Sequence, residues 1–571
     1  MKTRERFSGR SDARLQRKLN VIEAAAGRKE AEVVIKNASF VNVFGNELGM
    51  GDIAISEGMF VGIGSYCGKK EIDASGKIVV PGFIDAHIHL ESSLVKPSEF
   101  VKAVVPHGTT TVVADPHEIA NVMGADGVAY MLQATEALPV NIRFMLPSCV
   151  PATPVDESGA NLDWRALDEF YDHPRVQGLA EMMNYDGVIS ADPEVVEKIV
   201  AALSRRKKID GHAPGLEGLN LNAYIAAGVY SDHECYELND AIRKLDRGQY
   251  IMIREGTAAH NLDALLPLLK SEYADRCMFC CDDKHPSDLM DVGHIDHIVK
   301  RAIRAGVDPI VAIKAASYNA ARYFLMNNRG AIAPGFLADF MIIDNFTDFN
   351  IEWVFRKGAA SYADGAVTPF PEPEAEPFLI AKAHDTFHTP HLSDKDFMET
   401  RPCAVIGVIP GEIITEDCGY SDKIDADHDI LKIAVVERHK NTRHIGIGYL
   451  KGYGLKAGAI ATSVSHDSHN IIAVGANEKD MAFAVNSVIE NKGGVFVVKD
   501  ETVSAGLRLS IAGVMSDDTL ENVNRDLENA KEAAFALGVK RGMDPFMTLS
   551  FMALPVIPTL RITTRGVINV L

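Results

Sequence analysis

Cysteine is scarce in this chain: eight among 571 residues, with no paired spacing of the kind that builds disulfide frameworks or zinc knuckles. That excludes a disulfide scaffold and suits a reducing compartment, the cytoplasm. The adjacent pair Cys280-Cys281 sits in an apolar run and reads as core rather than as zinc ligands. Long apolar runs are lacking too, and none reaches the roughly 20 residues needed to span a bilayer. Basic charge is in deficit, with Lys+Arg 58 against Asp+Glu 78 and a net charge of −20. Such a chain is poorly suited to nucleic acid or to an anionic membrane surface. The arginine-rich start, "MKTRERFSGRSDARLQRKLNVIEAAAGRKEAE", has no apolar stretch of the secretory kind, and Glu5, Asp12, Glu23 and Glu30 interrupt it. It reads as an amphipathic helical segment, residues 1–31, packed on the body.

What is present is ordinary globular material, 47% apolar and 24% charged, in a length that calls for about two to four domains. Residues 32–81 read as short strands separated by turns such as Ser75-Gly76. From Gly82 apolar runs alternate with helical stretches, the pattern of βα units. Eight such runs follow: 82–89, 109–115, 141–148, 176–183, 207–213, 228–234, 249–255 and 277–283. Eight units in roughly 250 residues predict a (β/α)₈ barrel of the TIM type over residues 82–330. Strand patterns return over 331–366. The economical topology is a small β-sandwich domain built from chain on both sides of the barrel. The Pro- and Glu-rich stretch "VTPFPEPEAEPF" (367–378) reads as a linker, and 379–571 as a further α/β or α+β domain.

Barrel enzymes carry their chemistry at the C-terminal ends of the strands. The first run ends in "DAHIH". Side chains two apart on a strand share a face, so His87 and His89 project together, with Ala86 and Ile88 expected opposite. The fourth run carries Glu181, the fifth ends in His212, the sixth in His233 and the eighth in Asp282-Asp283. A single polar residue at a strand end is usually a loop contact. Six His, Glu and Asp side chains at one rim form a metal-ligand set for borderline divalent ions: Mn²⁺, Fe²⁺ or Zn²⁺. The set exceeds the needs of one ion. Glu181 is placed to bridge two ions about 3.5–4 Å apart, one held with His87, His89 and Asp282, the other with His212 and His233. Metal coordination brings the pKa of water toward roughly 7, which yields hydroxide at neutral pH. Asp282 is then the carboxylate that accepts the proton and passes it on.

These residues resemble the amidohydrolase superfamily, through "PGFIDAHIHLE", "GHAPG", "SDHE", "CCDDKHP" and the sequel "GVDPIVAIKAASYNAARYFLMNNRGAIAPGFLADFMIID". Within it the chain is similar to the bacterial adenine deaminase family. Glu181 in "GLAEMMNY" stands where many relatives carry a carboxylated lysine. The segments "VADPHEIANVMG" and "CDDKHPSDLMDVGHIDHIVKRAI", and a C-terminal domain containing "VSHDSHNIIAVG", match that branch. The resemblance implies attack of metal-activated hydroxide on C6 of adenine, release of hypoxanthine and ammonia, a role in purine salvage, and two divalent ions, Mn²⁺ or Fe²⁺ first. It implies a small-molecule substrate and a homo-oligomer, a dimer being the simplest. By resemblance to adenosine deaminases Asp283 contacts a ring nitrogen, and the two aspartates could exchange roles.

Weaker candidates lie nearby. His117 and Glu118 follow the second run, and Glu91 and Ser92 follow the histidine pair, all as second-layer or substrate groups or as loop contacts. His285 reads as a loop residue. His466, Asp467 and His469 form a polar cluster that closes the barrel mouth, binds another ion, or simply makes a turn. Two other readings compete: a hydrolase acting on a cyclic amide or a related aminopurine, and a non-catalytic scaffold of the same fold. Glu181 in place of lysine and the C-terminal domain weigh against the first, and the complete ligand set against the second.

Overall fold

All eight apolar runs form parallel strands: Phe83–Ile88, Thr109–Ala114, Asn141–Leu146, Val176–Met182, Lys208–Gly211, Ser231–Asp232, Tyr250–Arg254 and Cys277–Cys280. The computed structural model describes residues 2–257, 259–399, 401–409 and 414–570. Met1 and Leu571, the outer limits of the expected terminal segments, lie outside the described residues. The first five strands pair in order as one sheet and the last three as another. Backbone hydrogen bonds close the ring. Tyr230 N–H donates to the Ile209 carbonyl (3.2 Å) between the fifth and sixth strands. His89 N–H donates to the Asp282 carbonyl, and Asp282 N–H to that of His87 (both 3.0 Å), between the eighth and the first. The intervening helices follow local rules. Pro193–Ser204 opens with proline at its first turn, after Asp192, whose carboxylate accepts from Glu194 N–H, and buries Val195, Ile199 and Ala202 at helical spacing.

The barrel is filled by Ile84, Ala86, Val113, Met145, Ala180, Met252, Met278 and Cys280, which touch across it. This corrects one expectation. Ala86 and Ile88 do not share a face: Ala86 lies in that inner cluster, whereas Ile88 joins the larger outer core. The pairing of the first two strands shifts register between Asp85 and Ile88. That irregularity resets the alternation, so both histidines still reach the mouth. Cys280 and Cys281 are buried free thiols, one in each cluster.

Strands from both flanks of the barrel join in one sheet of nine. Ile78–Pro81 pairs antiparallel with Phe340–Ile343, Val80 opposite Met341. The strands of this small β-domain are joined by hydrogen bonds into one branched sheet, with Ile53, Ile55, Phe60, Phe340 and Phe355 in one apolar cluster. The N-terminal helix, Lys2–Ala25, sets Val21 and Ala24 against Val34, Ala54 and Val61 of this sheet. The chain then runs along the barrel, pinned where Lys96 pairs with Glu372 (2.5 Å), to a short helix at Pro377–Ala383.

Beyond it lies an eight-stranded, mostly antiparallel sheet flanked by helices Glu478–Glu490, Leu520–Ala536 and Pro545–Phe551 and by a hairpin, Leu560–Thr563 with Gly566–Asn569. It docks on the barrel through Leu520 N–H to Glu99 (3.2 Å) and Asn470 Nδ2 to the Glu157 carbonyl (2.9 Å). This brings residues 463–470 to the barrel mouth. Among the described residues no helix is long and apolar enough to cross a membrane.

Candidate metal centre

The six side chains expected at the rim meet there. Asp282 Oδ1 lies 3.2 Å from His87 Nε2 and 3.1 Å from His89 Nε2. Glu181 stands between two groups of histidines. Its Oε1 is 3.3 Å from His89 Nε2 and 3.7 Å from His87 Nε2, and its Oε2 is 2.7 Å from His212 Nδ1 and 3.2 Å from His233 Nε2. All but His212 are buried. Asp282 takes a left-handed backbone conformation (φ 62°), which aspartate tolerates better than most residues and which turns the chain at the rim.

The donor set fits divalent cations. His87 Nε2 and both ring nitrogens of His233 are buried without a hydrogen-bond partner among the described residues. Groups that could each hold an ion include His87, His233 and Asp282, and Glu181, His212 and His233. The electrostatics agree. Burial raises the Glu181 carboxyl, but the hydrogen bond with His212 and the close approach of the His233 ring outweigh it and hold the group well below the ordinary range. Burial raises Asp282 as well, and the charge of Arg254 with the close rings of His87 and His89 brings it well below. Burial lowers His233, yet Glu181 lifts it to about 9. The pocket is thus built to hold positive charge.

His89 Nδ1 lies 3.1 Å from the Asp115 carbonyl, a contact that fixes the ring and leaves Nε2 facing inward. His117, a weaker candidate, adjoins the centre: its Nδ1 is 2.8 Å from Asp115 Oδ2 and 3.4 Å from Glu181 Oε1. Glu118 faces away from the ligands, toward His466 Nδ1 (2.7 Å) and the ring of His469. Asp467 is buried 4.0 Å from His117 Nε2. The weak cluster of the C-terminal domain therefore sits against the barrel mouth. Glu91 is apart from the ligands; it accepts from Ile119 N–H (3.2 Å), and burial lifts its carboxyl to about 7. Ser92 donates to Asp283, and both are partly exposed at the rim. His285 faces Asp544 of the C-terminal domain, 4.0 Å away.

Three participants were missed. Arg254 Nη1 donates to Asp282 Oδ2 (2.7 Å), and its Nη2 to Glu234 Oε2 (3.0 Å). Glu234 Oε1 lies 3.4 Å from His233 Nε2 and 3.8 Å from His212 Nδ1. Asp115 backs His117 and His89. Asp115 and Glu234 end the second and sixth runs and Arg254 is the penultimate residue of the seventh, so the strand-end rule leads to them.

An eight-stranded parallel barrel with paired histidines on its first strand, a shared glutamate on its fourth, histidines after its fifth and sixth and an aspartate after its eighth defines a metal-dependent hydrolase of the amidohydrolase kind. Residues 78–361 match the amidohydrolase family model, and 413–571 match the adenine deaminase C-terminal domain. An adenine deaminase of Desulfatibacillum aliphaticivorans is 46% identical over 562 residues, 96% of this chain and 97% of that protein. Adenine deaminase 2 of Carboxydothermus hydrogenoformans is 44% identical over 562 residues, with the same coverage. A β-aspartyl dipeptidase from Fervidobacterium islandicum AW-1 superposes with a TM-score of 0.47 at 18% identity, over 59% of this chain and 99% of that one. The chain belongs to the adenine deaminase family.

Proposed function

We propose that this chain hydrolyses adenine to hypoxanthine and ammonia, using two divalent ions at the barrel mouth. The observation that carries the reading is the placement of Glu181 between His87, His89 and Asp282 on one side and His212 and His233 on the other. His87, His89 and Asp282 would hold one ion and His212 and His233 the second, with Glu181 between them. Imidazole and carboxylate donors suit Mn²⁺ or Fe²⁺, and Zn²⁺ is accommodated. Bound divalent ions acidify water and so supply a nucleophilic oxygen at neutral pH.

The protein's residues do the rest. The oxygen of water bonds to C6, one of its protons ends on N1, the other leaves with the amine as ammonia, and the C6–N6 bond breaks. Asp282 carries the proton, through Oδ1, which faces His87 and His89, while Arg254 fixes Oδ2. Ser92 and Asp283, joined at the rim, are suited to the ring nitrogens of the base. Eight free cysteines fit a reducing cytoplasm. The test is purified protein loaded with Mn²⁺, Fe²⁺ or Zn²⁺ in turn and given adenine. One ammonia released per adenine lost, with the purine absorbance shift, supports the reading. No ammonia with any of the three ions refutes it.

A further inference from the structure

Glu118 is buried at the barrel mouth, and both of its oxygens are taken up by the C-terminal domain. His466 Nδ1 lies 2.7 Å from Oε1, and the His469 ring contacts Oε2 through Nε2. The same Oε1 is 3.5 Å from His117 Nε2, and His117 Nδ1 is 3.4 Å from Glu181. A continuous line of contacts therefore runs from the C-terminal loop, through Glu118 and His117, to the carboxylate shared by both ion positions.

The loop is built to hold this arrangement. Arg438 is fully buried and donates to the carbonyls of His469, Thr386 and Ala512, with its guanidinium stacked 4.2 Å from the Phe387 ring. His439 Nε2 contacts the Ser468 carbonyl (2.7 Å), and Asn470 Oδ1 accepts from Arg438 N–H (3.2 Å). The His466 ring stacks on Phe551, 5.1 Å away. His469 occupies the left-handed region (φ 50°), a conformation that persists in a non-glycine residue where the surroundings enforce it.

The cluster can be read as a third cation site, since Glu118, His466 and His469 lie within ligand reach of one another. The tautomer argues otherwise. His469 Nδ1 accepts a hydrogen bond from Ser465 N–H (3.3 Å). A neutral ring so placed carries its proton on Nε2, which makes that nitrogen a donor to Glu118 and not a ligand.

We infer that His466 and His469 are positioning residues: they fix Glu118, and through it the ring of His117 against the metal centre, so that the C-terminal domain is part of the catalytic apparatus. The inference rests on the deaminase reading. Outer partners of this kind contribute roughly 10–100-fold in activity.

The test uses the full-length, Mn²⁺-loaded enzyme and five variants: H469A, H469Q, H466F, E118Q and the double E118Q/H469A. Gln offers a donor in place of Nε2–H, and Phe keeps the stack on Phe551 without the donor. For each, kcat and KM for adenine, bound Mn²⁺ and thermal midpoint are measured. H469A and H466F should lose about 10–100-fold in kcat with KM changed less than about threefold, at wild-type Mn²⁺ content and midpoint. H469Q should regain most of that loss, and the double variant should be no slower than E118Q alone. Wild-type turnover in H469A and H466F overturns the inference. So do additive losses in the double variant, losses that track unfolding, or one Mn²⁺ ion missing from H469A, the signature of a third cation site. Wild-type enzyme that fails to deaminate adenine overturns the inference together with the reading beneath it.

Discussion

Glu181→Gln isolates the shared carboxylate. The substitution nearly preserves shape but replaces one oxygen by an NH₂ group, a donor that cannot ligate a cation. Glu181 faces two groups, His89 and His87 through Oε1 and His212 and His233 through Oε2. Whichever way the amide turns, one ion position loses its shared ligand and the other keeps only a neutral oxygen. Two unit charges 4 Å apart interact by about 4 kcal/mol at an effective dielectric of about 20. Losing that attraction weakens the affected ion by about three orders of magnitude. The assay is titration of metal-free protein with Mn²⁺, counting bound ions, paired with adenine turnover. Glu181→Gln should bind at most one ion at concentrations that saturate the wild type twice, and turnover should vanish. Chelated wild-type protein serves as the control. It should lose activity and keep its far-ultraviolet circular dichroism, because the barrel is filled by Ile84, Ala86, Val113, Met145 and their neighbours rather than by ions. Two bound ions and a rate within about threefold of wild type in Glu181→Gln would refute the bridging role.

Arg254→Gln leaves the buried Asp282 and the half-buried Glu234 near each other without their shared cation. Breaking a buried pair in this way costs about 3–5 kcal/mol, and denaturant unfolding of the metal-free variant should show it; an unchanged midpoint counts against the pairing. Glu157 ties the barrel to the C-terminal hairpin region through Thr564 (2.6 Å), His444 (2.9 Å) and Arg565 (3.1 Å). Burial raises its carboxyl, and these three hydrogen bonds outweigh burial and lower it. A depressed carboxyl stabilises the docked state fully above its unfolded pKa of about 4.3 and loses that contribution as the pH falls through the lower folded value. Proteolysis at the hairpin should therefore accelerate below about pH 4. Glu157→Gln should be cut faster at neutral pH, with little further change on acidification; the same acid response in both proteins would exclude Glu157 as its source.

The six residues that meet at the rim were legible because each lies at or near the end of a locally recognisable run, and the barrel fixes what a run's end means. His87 and His89 needed only the two-residue period of a strand. That same period misassigned Ala86, because the irregularity between Asp85 and Ile88 is set by pairing with the neighbouring strand and leaves no mark in the local pattern. Arg254 escaped for a different reason. It stands at a strand end like the ligands, but a guanidinium is not a metal ligand, and its role appears only when Asp282 and Glu234 are seen on either side of it. The contact of Glu118 with His469 spans 351 positions. Nothing near "DPHE" or near "SHDSHN" specifies the other; docking of the two domains does. The flanking strands were also legible one by one, whereas their union in one sheet of nine depends on the pairing of Ile78–Pro81 with Phe340–Ile343 across the whole barrel.

The charge at the mouth explains why Arg254 belongs in the design. Glu181, Asp282 and Glu234 bring three negative charges to a buried site, and Arg254 supplies one positive, leaving two uncompensated when the histidines are neutral. Such an excess is costly in a dry interior unless cations meet it. Imidazolium protons can do so, as the upward shift of His233 shows, but they then occupy the nitrogen lone pairs that a metal needs. Arg254 lies on the Asp282–Glu234 side and holds Asp282 by Oδ2 alone, so Oδ1 stays directed at His87 and His89. A second carboxylate in place of Arg254 would deepen the excess, and an apolar residue would leave Glu234 unpaired. A fixed cation that neutralises one carboxylate while orienting another is the arrangement that leaves room for divalent cations at the proposed ion positions.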